Sequence, residues 1–140
     1  MKCQQYVLKY EVVVDLVDGI ICWVWGGLAG SVGDLTIARS NLLKFLLPGE
    51  KLFADKGYRG EDAFLIPHQG RWEDLTPAQQ EWNKLHTNVH FQHIERVNNR
   101  LKIWDCLTKE WRHPLEKHHI AFFVIANLTN LELVFHPLNK

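Results

Sequence analysis

Asp55 closes the apolar run Leu52, Phe53, Ala54 and is followed by Lys56, Gly57, Tyr58, Arg59 and Gly60. The run reads as a buried strand and the two glycines as turn residues, so the carboxylate is held at a strand end, facing solvent or a ligand. Such a place suits a metal ligand. An Asp-x-Gly pattern by itself equally marks a turn in which the acid accepts from nearby backbone N–H groups, so the metal reading depends on a second acid.

Glu95 is the candidate second acid. It stands among Ile94, Val97, Leu101 and Trp104, whose spacing predicts an amphipathic helix with Glu95 flanking the apolar stripe. Lys102 follows seven residues on, about two turns along nearly the same line. An acid and a base would then share one helix edge, next to Arg96 and Arg100; the ordinary alternative is a solvated face carrying unremarkable charges. Other clusters read as structural. His86, His90 and His93 fall at i, i+4 and i+7, a spacing that can gather imidazoles, but no Cys or acid stands beside them at zinc-motif spacing. His113, His118 and His119 read as the polar start of a helix.

The elements that must position these groups follow from local pattern. Residues 6–17 are rich in Val and Tyr and read as a strand, residues 17–20 as a turn around Gly19, and residues 20–25 as a second strand, giving a hairpin. Gly26, Gly27 and Gly30 break the pattern, and Asp34 stands where it would cap a helix over 35–46, ended by Pro48 and Gly49. A strand over 51–54 delivers Asp55. Residues 67–74 read as a surface loop. Thr76, Pro77 and Gln79 form a capping box with proline at the first helical position, and the apolar stripe from Trp82 to Trp104 predicts one long or once-broken helix to about Leu107. Residues 115–130 read as a final helix and 131–135 as a short tail strand.

The chain has 140 residues, 46% of them hydrophobic and six of them Trp, which suits one small globular domain (1–140) and leaves no room for a separate DNA-binding one. The formal net charge is zero, so a broad basic surface is excluded and any nucleic-acid contact must be local. Cys3, Cys22 and Cys106 are odd in number and widely spaced, which points to neither a disulfide framework nor a zinc ribbon and fits a reducing compartment. With no apolar signal core and a longest apolar run of 120–126, the expectation is a soluble, intracellular protein, nuclear or cytoplasmic, with no membrane partner.

Taken together, the strand with Asp55, Gly57 and Tyr58, the helix with Glu95 and Lys102, and the stretch Gly30, Ser31, Val32, Gly33, Asp34 resemble the DDE transposase superfamily, most closely its PIF/Harbinger and IS5-like branch. The resemblance spans residues 8–131. It departs from the family pattern at Gly33, where His commonly stands, and at Phe91, where Arg is frequent. By this resemblance Asp55 matches the second catalytic acid and Glu95 the catalytic Glu, both metal ligands, with Lys102, Arg96 and Arg100 positioning phosphates.

The resemblance implies an α/β, ribonuclease H-like mixed sheet flanked by helices. The function it implies is a metal-dependent DNA endonuclease and strand-transfer domain acting on transposon ends, with a separate DNA-binding protein as a further partner. Two Mg²⁺ or Mn²⁺ ions, roughly 3.5 to 4 Å apart, serve such chemistry, and hard oxygen ligands suit them. The family's first Asp lies on the central strand, ahead of what is here residues 6–16, so the chain is expected to be an N-terminally truncated, incomplete catalytic domain. The alternative is a catalytically inactive, transposase-derived remnant that binds DNA or protein.

Overall fold

A β1 that ends in three consecutive valines (Leu8–Val14) and an aromatic-rich β2 (Ile21–Ala29) form an antiparallel hairpin. The computed structural model describes residues 7–138. The turn is organised by Asp15, whose Oδ1 accepts from Val17 N at 2.7 Å and Asp18 N at 3.0 Å, and by Gly19 at φ 73°. β2 does not stop at the glycines as expected. Gly26 pairs with Tyr10 while Lys9 pairs with Leu28, so Gly27 is an extra residue accommodated in a bulge. Gly26 is required there: a Cβ would lie 2.5 Å from Lys9 O and 2.6 Å from the Tyr10 Cα.

Period-two alternation sends the two faces of β1 to different partners. Val14, with Tyr10 and Val12 at its side, joins Ile21, Val97, Leu101, Phe122 and Ile125 in the larger core, under helices α3 (Arg96–Leu101) and α5 (Glu116–Phe135). Val13, with Trp23, packs on the opposite face against Ala38, Leu42, Ala54 and Phe64, under α1 (Asp34–Ser40). The hairpin is thus covered by helices on both sides. Asn130 of α5 fixes the larger layer, its side chain accepting from Ile21 N at 2.8 Å and donating to Ile21 O at 2.9 Å.

Several expected boundaries move. Asp34 is not the cap of α1 but its first helical residue, the cap being Gly33, and its charge favours the helix N-terminus. The helix predicted over 35–46 breaks at Asn41 and continues only as a 3-10 turn, Leu42–Lys44. β3 (Leu52–Phe53) pairs in parallel with β4 (Phe64–Leu65), a strand too short to be seen by periodicity. α2 (Pro77–His90) starts with the expected reciprocal capping box of Thr76 and Gln79 and the expected Pro77. It then passes through a π-helical turn, Phe91–Glu95, into α3. A short α4 (Asp105–Thr108) follows. The tail strand expected over 131–135 is instead the last turns of α5, because Leu133 is buried in the same core as Phe122 and Ile125 and holds the helix down.

α5 is long and apolar enough to cross a membrane by length and composition. Here one of its faces packs on β2 and α3, as a core helix does. Cys3 lies outside the described residues; Cys22 is an exposed free thiol, and Cys106 is free and half-buried.

Candidate active site

A cleft of about 380 Å³ opens between the two small sheets, with β1 on one wall, β3 on the other and the α2–α3 helix across it. Among the described residues β1 pairs only with β2 and β3 only with β4, so both strands reach the cleft with one edge unpaired. Asp55 and Glu95 line this cleft together, although forty positions separate them. The sequence-predicted pair of acids therefore shares one cavity, delivered by the two elements expected to carry them.

Asp55 stands just beyond β3 in extended backbone, and its Oδ1 accepts from Gly57 N at 2.8 Å, capping the 3-10 turn Lys56–Tyr58. The turn-forming role and the strand-end position coexist: one carboxylate oxygen is engaged by backbone and the residue still borders the cavity. Glu95 closes the π turn, its Oε1 3.9 Å from His90 Nδ1, an ion pair only when the histidine is protonated. His86, one turn earlier, is buried and held between Ala54 O at 2.8 Å and Leu65 O at 3.1 Å. That ring ties α2 to both parallel strands just behind Asp55, which is a structural role.

The phosphate-positioning candidates are not brought to the cleft wall. Arg100 reaches Glu132 on α5 at 3.6 Å, and Lys102 caps the C-terminus of α3. Arg96 follows Glu95 as the first residue of α3.

Sequence reasoning missed Glu11, which lines the same cleft as Asp55. Glu11 points from β1 into the smaller core and is only 4% exposed. Its Oε2 accepts from Trp23 Nε1 at 3.2 Å, while Oε1 is buried with no hydrogen-bond partner. Burial pushes the Glu11 carboxyl above its usual range, opposed by the Trp23 and Tyr58 side chains and reinforced by the charge of Asp34. Burial likewise drives the Tyr58 hydroxyl far above its ordinary range, helped by the negative charges of Glu11, Asp34 and Asp55 around it. Asp34 is held at 3.0 Å by Lys9 Nζ, which also donates to Val32 O at 2.8 Å. The legible signal for Glu11 was an acid inside a Val-rich strand, at a position whose neighbours two residues away are apolar or long-chained.

Two further acids stand near these elements, Asp15 and Asp34. Asp15 is spent on the hairpin turn, whereas Asp34 borders the cleft near Asp55. Among the described residues no group of three or more His, Cys, Asp and Glu side chains is arranged to hold a metal ion. Of the cleft's acids, Glu11 is bonded to Trp23 and Asp34 is paired with Lys9.

The profile of the DDE superfamily endonucleases matches residues 2–130. The chain belongs to that family. As a DDE superfamily endonuclease domain it is also similar to a probable transposase for insertion sequence element IS702 of Microchaete diplosiphon, 29% identical over 143 aligned positions. That alignment covers 94% of this chain and 49% of the relative, so the chain spans about half the length of the curated relative it matches. No solved structure matches the chain. The observed mixed α/β arrangement, with helices on both faces of the hairpin, is compatible with a DDE nuclease fold.

Proposed function

We propose that this chain is one domain carrying two of the three carboxylates of a transposase nuclease site, Asp55 and Glu95, on a ribonuclease H-like scaffold of the PIF/Harbinger and IS5-like type. The observation that carries it is that Asp55 and Glu95 line one cleft whose two strand walls each present an unpaired edge. A strand laid between β1 and β3 would join the two small sheets into one and bring a third acid to the same end of the cleft. Unpaired ladder edges are otherwise a hazard for association, so such a strand would remove a liability as well as complete a ligand set.

In this reading the substrate is the phosphodiester backbone of transposon ends, and the expected ion is Mg²⁺ or Mn²⁺, which carboxylates suit better than His or Cys. Three carboxylates are needed to clamp a two-metal site, and the described donors fall short of that, so no cleavage is assigned to the chain alone. Lys102, Arg96 and Arg100 follow Glu95 without lining the cleft, so in this reading they would hold phosphates of DNA running past it rather than read bases. In this reading a separate DNA-binding protein supplies base recognition, in the nucleus or cytoplasm.

The alternative reading is a transposase-derived remnant that binds DNA or protein without cutting it. Calorimetric titration with Mn²⁺ separates the two. The 140-residue chain is expected to bind weakly, and a longer chain adding a strand that ends in Asp-Gly is expected to bind far more tightly and to nick plasmid DNA. Asp55→Asn or Glu95→Gln in the longer chain should abolish both. Equal Mn²⁺ affinity in the two chains would sink the metal-site reading, and DNA binding without nicking in the longer chain would establish the remnant.

A further inference from the structure

α5 is apolar nearly all round, and only one side of it is used by the fold. His118, Phe122, Ile125, Ala126, Thr129 and Leu133 are buried. On the other side Ile120, Val124, Asn127, Leu131 and Val134 follow one another at alternating spacings of four and three residues, and all are exposed. This is the spacing of a seam that packs against a second helix. Phe123 and Phe135 flank it, 49% and 71% exposed. A helix that is hydrophobic on every side is ordinarily enclosed on every side.

We propose that this face of α5 is a homodimer interface, occupied by α5 of a second copy running antiparallel about a two-fold axis near Asn127. The area is sufficient. The exposed apolar side chains of α5 present roughly 800 Å² to solvent, and a standard stable interface takes about that much from each partner. A monomer seldom leaves so large a contiguous patch uncovered.

The shape is self-complementary, which is what an isologous contact needs. At its C-terminal end the patch carries a groove of about 480 Å³, walled by Leu128, Leu131 and Phe135 of α5 and by Ile103 and Trp104 of the turn after α3. At its N-terminal end it carries projecting apolar side chains, Ile120 and Phe123. An antiparallel pair sets the projections of each copy over the groove of the other, twice. It also opposes the two helix dipoles, where a parallel pair would align them. Asn127, the one polar residue in the seam, falls on the two-fold axis and meets its own counterpart. A single polar residue at such a position fixes register at some cost in affinity.

Sedimentation equilibrium of the full chain over a range of concentrations tests this. The expected result is a dimer that Leu131→Glu converts to monomer at equal concentration, with the helical circular dichroism unchanged. Should Leu131→Glu fail to fold, Asn127→Cys in a chain whose three native cysteines are Ser decides instead. The axis at residue 127 requires rapid, near-complete disulfide-linked dimer on mild oxidation, whereas Lys117→Cys in the same background should give little. A monomer at every concentration, or a dimer untouched by Leu131→Glu with no preference for crosslinking at 127, would overturn the proposal. So would a monomer that floats with phosphatidylcholine vesicles, since the face would then be a membrane contact.

Discussion

The carboxylates of Asp34 and Asp55 both close on one glycine, Gly57. A Cβ at Gly57 would stand 2.5 Å from Asp34 Oδ2 and 3.0 Å from Asp55 Oδ1. Gly57 has no need of left-handed backbone; what it supplies is the absence of a side chain where two acids meet. Lys9, 3.0 Å from the other oxygen of Asp34, offsets part of their mutual repulsion.

Gly57→Ala is therefore expected to cost stability through Asp34, by about 1 kcal/mol or slightly more. Asp34→Ala introduced with it should restore most of that loss, because the displaced group is then gone. Urea unfolding of the wild type, the two single variants and the double variant gives the coupling directly. Simple additivity of the two single effects would show that the crowding at Gly57 is relieved elsewhere.

Glu11 yields a prediction whose sign depends on pH. Its folded-state carboxyl lies above its unfolded value because of burial, so in the folded state it keeps a proton that the unfolded chain has already released. Its contribution to stability is then most favourable below the unfolded value and declines as pH rises toward the folded one. Glu11→Gln removes that decline and keeps an oxygen for Trp23 Nε1. The variant should match the wild type near pH 4 and exceed it near pH 7, by on the order of 1 kcal/mol. Thermal melts at the two pH values check it; a variant weaker at pH 7 would mean that the ionised carboxylate is itself a required partner.

His118 works in the opposite direction. Burial lowers its pKa, partly offset by a backbone hydrogen bond at Cys106, and its Nδ1 lies 2.7 Å from the Tyr10 hydroxyl. Neutral His118 can accept from Tyr10, and protonation at Nδ1 removes that acceptor. The unfolded chain takes up the proton first, so stability is full above the ordinary histidine range and is lost as pH falls through and below it. Chemical denaturation between pH 7.5 and 5.5 should show this loss, and His118→Phe should flatten it while keeping a ring against Tyr10, which itself stacks on Phe122. An unchanged slope in the variant would assign the acid sensitivity to another group.

What was legible in the sequence is what local chemistry determines. The capping box at Thr76, the strand ending at Asp55 and the hairpin turn around Gly19 each rest on a few adjacent residues, and each stands as expected. What was not legible depends on partners distant in the chain. β4 is two residues long and exists because β3 lies beside it, with His86 bonding the carbonyls of Ala54 and Leu65. Gly26 and Gly27 looked like a stop, yet pairing with β1 carries β2 through them as a bulge. Residues 131–135 have the composition of a strand, but Leu133 is claimed by the core under the hairpin and the helix continues. Asp55 and Glu95 could be named from type and spacing, whereas Glu11 and Tyr58 gain their character from burial, which no spacing records.

The π turn that ends at Glu95 divides one rod into two independently phased halves. In an unbroken α-helix, residues eleven apart point nearly the same way, so His86 and Val97 would face one layer. A π turn takes in one extra residue and turns the downstream half by about 100° relative to that expectation. His86 can therefore address the ends of β3 and β4 while Val97 and Leu101 enter the core beneath α5. Glu95 sits at the joint between those two commitments, so its direction can be retuned by gaining or losing one residue in 91–95 without repacking either half.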